Sequence, residues 1–284
     1  MSSIRDVLAH DAASLKTALA LTPNEARIEV QCLLQHVLNV PRVYLLAHPE
    51  QVLDEAQLQM YAALLQRRLH GEPIAYILGE REFFGLNFRV TSATLIPRPE
   101  TELMVELALQ HLPLQSPRRV LDLGAGSGAI AISIAHARPD AEVVAVDASA
   151  AALQVARANA RQLNTPNVTF VKSDWFAALD DQRYDMIVSN PPYVAAGDEH
   201  LAQGDVRFEP ISALASGADG LDDIRRIVLE APKHLTGNGW LLLEHGYDQA
   251  ETVRVLLAQN GFGDVFSGKD IAGIERVSGG RIGA

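Results

Sequence analysis

Asn190-Pro191-Pro192-Tyr193 closes the apolar run Tyr184-Asp-Met-Ile-Val-Ser189 and brings an amide side chain, two proline carbonyls and an aromatic ring to one place. Such a set fits a planar NH2 group. The Asn190 side-chain oxygen and the carbonyl of Pro191 can each accept one amide hydrogen, while the Tyr193 ring lies against the plane. Proline has no N–H, so no donor competes and the carbonyl is rigidly placed. Taken alone, an Asn-Pro-Pro run reads first as a loop in which prolines stop a strand. A second motif upstream shifts the balance.

That motif is Val120-Leu-Asp122-Leu-Gly124-Ala125-Gly126-Ser127-Gly128-Ala-Ile-Ala-Ile: a buried strand, a glycine-rich turn, and a helix beginning near Ser127. Glycines there permit positive φ and let a ligand approach the backbone. Dinucleotide sites use a similar turn, so the turn alone is weak evidence. Its spacing is Gly-x-Gly-x-Gly rather than Gly-x-Gly-x-x-Gly, and an acid, Asp122, precedes it. A pyrophosphate gains nothing from that carboxylate, whereas the ammonium of an amino-acid moiety does, directly or through water. The expected ligand is therefore S-adenosylmethionine, with a dinucleotide as the other reading.

The following strands add acceptors in order. Ala141–Asp147 ends in an acid where ribose hydroxyls would be held, a feature shared with NAD sites. Val168–Ser173 leads into Asp174-Trp175, a carboxylate for the adenine amino group and a ring for the adenine face; a hydrophobic plug is the plainer reading of the tryptophan. Acceptors at successive strand ends favour a ligand site, because ligands bind beyond the carboxyl ends of parallel strands. Glu244 and His245 invite a general-base role, but a buried strand end more often carries a hydrogen-bonded histidine. The nine histidines and the single cysteine show no metal-ligand spacing, and no metal is expected.

The elements that must hold these residues fall into three parts. Residues 1–75 read as short amphipathic helices: Thr22-Pro23-Asn24-Glu25 is a capping box with proline at the first helical position, and Asp54 and Gln57 bracket another start. This part is expected to be a small helical bundle used for recognition. Residues 76–98 read as a β-hairpin connector, with strand character from Ala75 onward and Gly85 and Asn87 near a turn or bulge. From residue 99 to 284, Pro99-Glu100-Thr101-Glu102 opens a helix, and strands then alternate with helices, which argues for a parallel sheet covered on both faces. Phe262–Phe266 and Gly273–Val277 are expected to form a short antiparallel edge.

The chain has 284 residues, 48% hydrophobic and 21% charged, as expected of a globular protein with a sizeable core. No apolar run approaches the roughly 20 residues that span a bilayer, and the start lacks the regions of a signal peptide. One cysteine, Cys32, cannot make an internal disulfide, so the cytosol is the expected compartment. The net charge of −11 argues against a life on nucleic acid. Residues 1–75 hold 6 Lys/Arg and 8 Asp/Glu, so the acidity lies in the remainder and suits a basic protein or a small molecule as partner.

With these residues assembled, the chain resembles the protein-(glutamine-N5) methyltransferases that modify class I peptide chain release factors. The resemblance spans nearly the whole length and rests on Gly71–Gly79, Glu82-Phe83 through Phe88, Leu95-Ile-Pro-Arg-Pro-Glu-Thr-Glu102, Asp122–Gly128, Ser189–Tyr193, Glu209-Pro210 and Gly217–Leu221. It implies a class I S-adenosylmethionine-dependent methyltransferase, α/β and Rossmann-like, with a seven-stranded, mostly parallel sheet and a small helical N-terminal domain. It also implies that Gly124–Gly128, Asp147, Trp175 and Asn190 contact S-adenosylmethionine and that Asn190–Tyr193 hold the glutamine of the factor's Gly-Gly-Gln loop. The partners implied are class I release factors, with no direct nucleic acid and no membrane, and a monomer is expected. An adenine-N6 nucleic-acid methyltransferase shares Asn-Pro-Pro-Tyr but needs a basic strand-tracking face; a non-catalytic S-adenosylmethionine-binding module would tolerate loss of Asn190 or Asp122, and both are present.

Overall fold

The computed structural model describes residues 2–114 and 117–283. The chain forms two compact units, one of Met1–Gly79 with Ala202–Phe208, the other of Glu80–Leu201 with Glu209–Ala284.

The first unit is helical: α1 (Ile4–Leu19), α2 (Pro23–Leu38), α3 (Arg42–Ala47), α4 (Glu55–Leu69) and α5 (Ile74–Leu78). Three of the starts are reciprocal capping boxes, Ser3 with Asp6, Thr22 with Glu25 and Asp54 with Gln57, which satisfy backbone donors that a helix cannot satisfy itself. Ile4, Leu15, Val30, Leu33, Leu34, Leu45 and Leu53 fill its core. Arg68 is buried yet fully engaged: it donates to Glu29 (2.8 and 3.0 Å), to Asp205 (2.9 Å) and to the carbonyls of Gly71 and Glu72. A buried charge left without such partners would be strongly destabilising. The strand character expected from Ala75 is corrected here, because Ala75–Leu78 is helical. Pro73 precedes the turn of α5 and Gly79, at φ +76, closes it; an apolar run this short has no period that separates helix from strand.

The second unit opens with a hairpin, β1 (Glu80–Phe83) and β2 (Leu86–Arg89), joined through Phe84 and Gly85, both at positive φ. That is the two-residue turn whose twist matches the strands. Asn87 lies in β2, where its amide donates to Glu80. Next come α6 (Glu102–His111), β3 (Arg119–Leu123), α7 (Ala129–Ala137), β4 (Glu142–Asp147), α8 (Ala150–Gln162), β5 (Val168–Lys172), β6 (Tyr184–Ser189), α9 (Asp222–Glu230), β7 (Leu235–Glu244), α10 (Ala250–Gln259), β8 (Phe262–Lys269) and β9 (Glu275–Ile282). The sheet order is β5-β4-β3-β6-β7-β9-β8, with only β9 antiparallel to its neighbours. Alternate residues feed two cores: Val120, Val143, Ala145, Met186, Val188 and Leu242 on one face, Leu121, Leu123, Val144, Val146, Ile187 and Leu243 on the other. Burial on both faces explains why these strands read as continuous apolar runs.

The antiparallel edge is longer than expected from the sequence. β9 runs on through Ser278-Gly279-Gly280, which looks like a loop. A Cβ at Gly279 would stand 2.5 Å from the Leu242 side chain and 3.0 Å from the Leu241 carbonyl oxygen, so the strand needs glycine to approach β7.

Candidate active site

The chain changes direction in the sheet between β3 and β6, which places a crevice beyond their carboxyl ends. A cavity of about 320 Å³ lies there, lined from the ends of β3, β4, β5 and β6 and by segments near residues 93–101 and 210–213.

The glycine turn takes the conformations that its composition anticipates: Gly124, Gly126 and Gly128 have φ of +79°, +54° and +83°. A Cβ at Gly124 would stand 3.5 Å from the Trp175 ring, an ordinary contact, so glycine is favoured there by its positive φ and not by lack of room. Gly128 faces inward instead, where a Cβ would meet Ile132 at 2.8 Å, and it serves the packing of α7. Gly124, Ala125, Gly126 and Ser127 line the cavity, whereas Gly128 and Asp122 do not. Asp122 is fully buried below the turn. Its Oδ2 accepts from the Ala131 N–H (3.2 Å), its Oδ1 has no partner among the described residues, and burial pushes its carboxyl up to about 7. A direct contact between Asp122 and a cavity ligand is therefore not part of this geometry.

Asp147, at the end of β4, does line the cavity. Its Oδ2 accepts from the Gly126 N–H and its Oδ1 from the Ser149 N–H, both at 2.8 Å. Two backbone donors fix the carboxylate and leave further lone pairs for hydroxyl groups. Asp174 and Trp175 follow β5 into the cavity wall. Trp175 has φ +49°, an uncommon conformation for a bulky residue, and is pinned on both sides: Ser173 Oγ–H donates to its carbonyl (2.7 Å) and its indole N–H donates to Asp223 (3.1 Å). Asp174 Oδ1 is engaged by Arg226 at 2.8 Å. Asp223, also in the cavity wall, was not singled out in the sequence; only its place in the first turn of α9 hinted at it.

At the end of β6, Ser189 is buried and donates to the Leu123 carbonyl (2.7 Å), locking this strand end to β3. Asn190 and Pro192 line the cavity, whereas Pro191 and Tyr193 are not in its wall. Asn190 Nδ2 donates to Thr101 Oγ1 at 3.2 Å. The Tyr193 hydroxyl donates to Glu244 Oε1 at 3.3 Å, and the Tyr193 carbonyl accepts from Gln249 at 3.0 Å. Burial drives the Tyr193 hydroxyl well above its ordinary pKa, so it is a donor throughout the physiological range. Arg98 reaches the cavity with its guanidinium paired to the buried Glu209, which also accepts from the Ile96 N–H at 2.9 Å. His245 is buried, with Nδ1 against the Gly246 carbonyl (2.9 Å) and Nε2 against Ser278 Oγ (2.8 Å); burial lowers its pKa and both ring nitrogens are taken. Among the described residues no group of three or more His, Cys, Asp or Glu is placed to hold a metal ion, and no helix is long and apolar enough to cross a membrane.

A seven-stranded sheet of this order, with a glycine turn and an acid at the ends of its adjacent strands, defines a class I S-adenosylmethionine-dependent methyltransferase. Residues 101–207 match the methyltransferase small domain, and residues 7–79 match the PrmC N-terminal domain. The chain is 52% identical to the release factor glutamine methyltransferase of Bordetella pertussis, over 94% of this chain and 99% of that one. It is also 52% identical to the enzyme of that name from Burkholderia pseudomallei, over 95% and 96%. A solved methyltransferase from Pyrococcus furiosus shares the fold, with a TM-score of 0.53, 20% identity, and coverage of 78% of this chain and all of that one. The chain belongs to the release factor glutamine methyltransferase family, as the resemblance of its motifs implied.

Proposed function

We propose that this chain methylates the side-chain amide nitrogen of the glutamine in the Gly-Gly-Gln loop of class I peptide chain release factors, and so tunes translation termination in the cytoplasm. The observation that carries the reading is Asn190: its NH2 end is engaged by Thr101 inside the cavity wall, which leaves its oxygen to accept from an amide.

S-adenosylmethionine fits the donor set. In this reading Asp147 takes the ribose hydroxyls on its remaining lone pairs, Trp175 covers the adenine, Asp174 or its neighbour Asp223 accepts from the adenine amino group, and the backbone of Gly124–Ser127 lies along the amino-acid moiety. Asp122 acts from beneath, by accepting from the Ala131 N–H in the first turn of α7, which follows the glycine turn. When bound, S-adenosylmethionine supplies a methyl group activated by its sulfonium. An amide nitrogen is a poor nucleophile, so the protein's task would be to place it for attack on the methyl group that bound S-adenosylmethionine would supply. Asn190 Oδ1 would accept one amide hydrogen and the Pro191 carbonyl, between the wall-lining Asn190 and Pro192, the other, which would orient the nitrogen and stabilise positive charge as it develops there. Pro192 and Tyr193 hold the loop, and the substrate nitrogen loses its extra proton to water after transfer. The N-terminal helices grip the rest of the factor.

The test is methyl transfer from labelled S-adenosylmethionine to purified class I release factors, with duplex DNA alongside. One methyl, located by mass spectrometry on the Gly-Gly-Gln glutamine, is expected. Label on DNA, or none on any factor, overturns the reading.

A further inference from the structure

An asparagine side chain has a donor end and an acceptor end of nearly the same shape. Holding a substrate NH2 requires the acceptor end of Asn190 to face it, and nothing in Asn190 itself decides which end that is. Its neighbours do. Nδ2 donates to Thr101 Oγ1 at 3.2 Å, between residues 89 apart in sequence. Thr101 is buried, and its hydroxyl has a single hydrogen to give. Beyond it lies Glu244, buried at the end of β7. Glu244 Oε1 takes the Tyr193 hydroxyl at 3.3 Å. Oε2 is buried with no hydrogen-bond partner among the described residues, an acceptor left open; the Thr101 and Tyr193 hydroxyls both hold the carboxyl's proton affinity down.

We propose that Glu244, acting through Thr101, is a positioning residue that sets the direction of this hydrogen-bond chain and thereby holds the Asn190 oxygen toward the substrate amide. The proposal rests on the glutamine-methylation reading above. Burial raises the Glu244 carboxyl to about 7, so above that pH it is ionised and only accepts. The Thr101 hydrogen is therefore drawn to Glu244, its lone pairs are what remain, and Asn190 can offer it only the NH2 end. Without the carboxylate, Thr101 is free to donate to Asn190 Oδ1. The amide then turns over and meets the substrate NH2 donor to donor. Tyr193 contributes a second hydroxyl to the same carboxylate, which ties the Asn-Pro-Pro-Tyr loop to the chain at both ends. The charged groups facing Glu244 are Glu100 before α6, which opposes its ionisation, and Arg276 on β9, which favours it; burial is the larger influence and opposes it.

The experiment uses the full chain, purified class I release factors and labelled S-adenosylmethionine, with kcat and both KM values measured. Glu244→Met removes the acceptor at similar volume, Thr101→Val removes the relay hydroxyl, and Thr101→Ser keeps it. Cofactor binding by calorimetry checks that each variant is folded. Glu244→Met and Thr101→Val are expected to lower kcat by about 100-fold, the scale of losing one pre-set hydrogen-bonding group at a reacting centre, with cofactor affinity little changed. Thr101→Ser is expected to restore most of the turnover, which a packing role for the threonine methyl would not do. If Glu244→Met loses cofactor binding through misfolding, the Val and Ser pair at Thr101 decides. A wild-type chain that is active on glutamine, with kcat unchanged in Thr101→Val or Glu244→Met, overturns the relay alone. A wild-type chain that methylates no release factor overturns the reading and the relay together.

Discussion

The two halves of the cavity use the same material, an oxygen acceptor at the end of a parallel strand, but hold it by different means. On the glycine-turn side, Asp147 is fixed by two backbone N–H groups, from Gly126 and Ser149. A backbone N–H can only donate, so the polarity of that half is set by the chain itself. On the Asn190 side the partners are side chains: Thr101, Tyr193 and Glu244. Hydroxyls and amides can reverse, so polarity there depends on one buried carboxylate. Binding can rest on a backbone frame that many side chains would tolerate. Orientation of a weak nucleophile rests on a few side chains with no substitutes.

The sharpest way to break this comparison is Asn190→Ala. Turnover is expected to fall by about 10²–10³-fold, while the thermal midpoint stays close to wild type; an equal loss of activity and folding would show Asn190 to be structural. Next is the pH dependence of stability. Burial raises the Glu244 carboxyl from an ordinary 4.5 to about 7 in the folded chain. Between those values the folded state binds more protons than the unfolded state, so this group's contribution to stability falls as pH rises from about 4.5 to 7 and is flat above. Glu244→Gln removes a cost of about 3 kcal/mol at most. Chemical denaturation should therefore show the variant gaining on wild type at pH 8 but not at pH 4, even as its turnover drops.

Asp147→Ala probes the other half. Loss of the ribose acceptor is expected to weaken S-adenosylmethionine binding by about 10–100-fold in calorimetry, the cost of one or two charge-assisted hydrogen bonds, with a smaller change in kcat for saturated enzyme. A larger effect on kcat than on affinity would erase the distinction between the halves. The smallest effect is expected from Gly124→Ala. The strain of positive φ costs roughly 1–2 kcal/mol, because the new methyl meets the Trp175 ring only at ordinary contact distance.

Much of this site was legible in the sequence because each acceptor directly follows an apolar run: Asp147 after Val143–Val146, Asn190 after Met186–Ser189. Strand ends of that kind announce themselves locally. Asp122 was picked out beside the glycine turn, but its burial away from the cavity was not, because it lies within a strand among residues that alternate between two cores. The helix at Ala75–Leu78 was hidden by its brevity, and the length of β9 by two glycines that serve close packing rather than a turn. Thr101 and Glu244 lie 89 and 51 residues from the Asn-Pro-Pro-Tyr residues they serve. Glu244 was noticed beside His245, yet only the tertiary fold supplies the partner that gives it a role.

Trp175 is held in an unfavourable backbone conformation by hydrogen bonds at its carbonyl and its indole nitrogen, with its ring in the cavity wall. The chain has only one other tryptophan, Trp240, which is stacked on His111 at 4.0 Å. The molecule thus contains its own optical gauge. A Trp240→Phe variant leaves a single emitter whose ring edge adjoins the glycine turn, so its fluorescence reads cavity occupancy directly, without label and in real time.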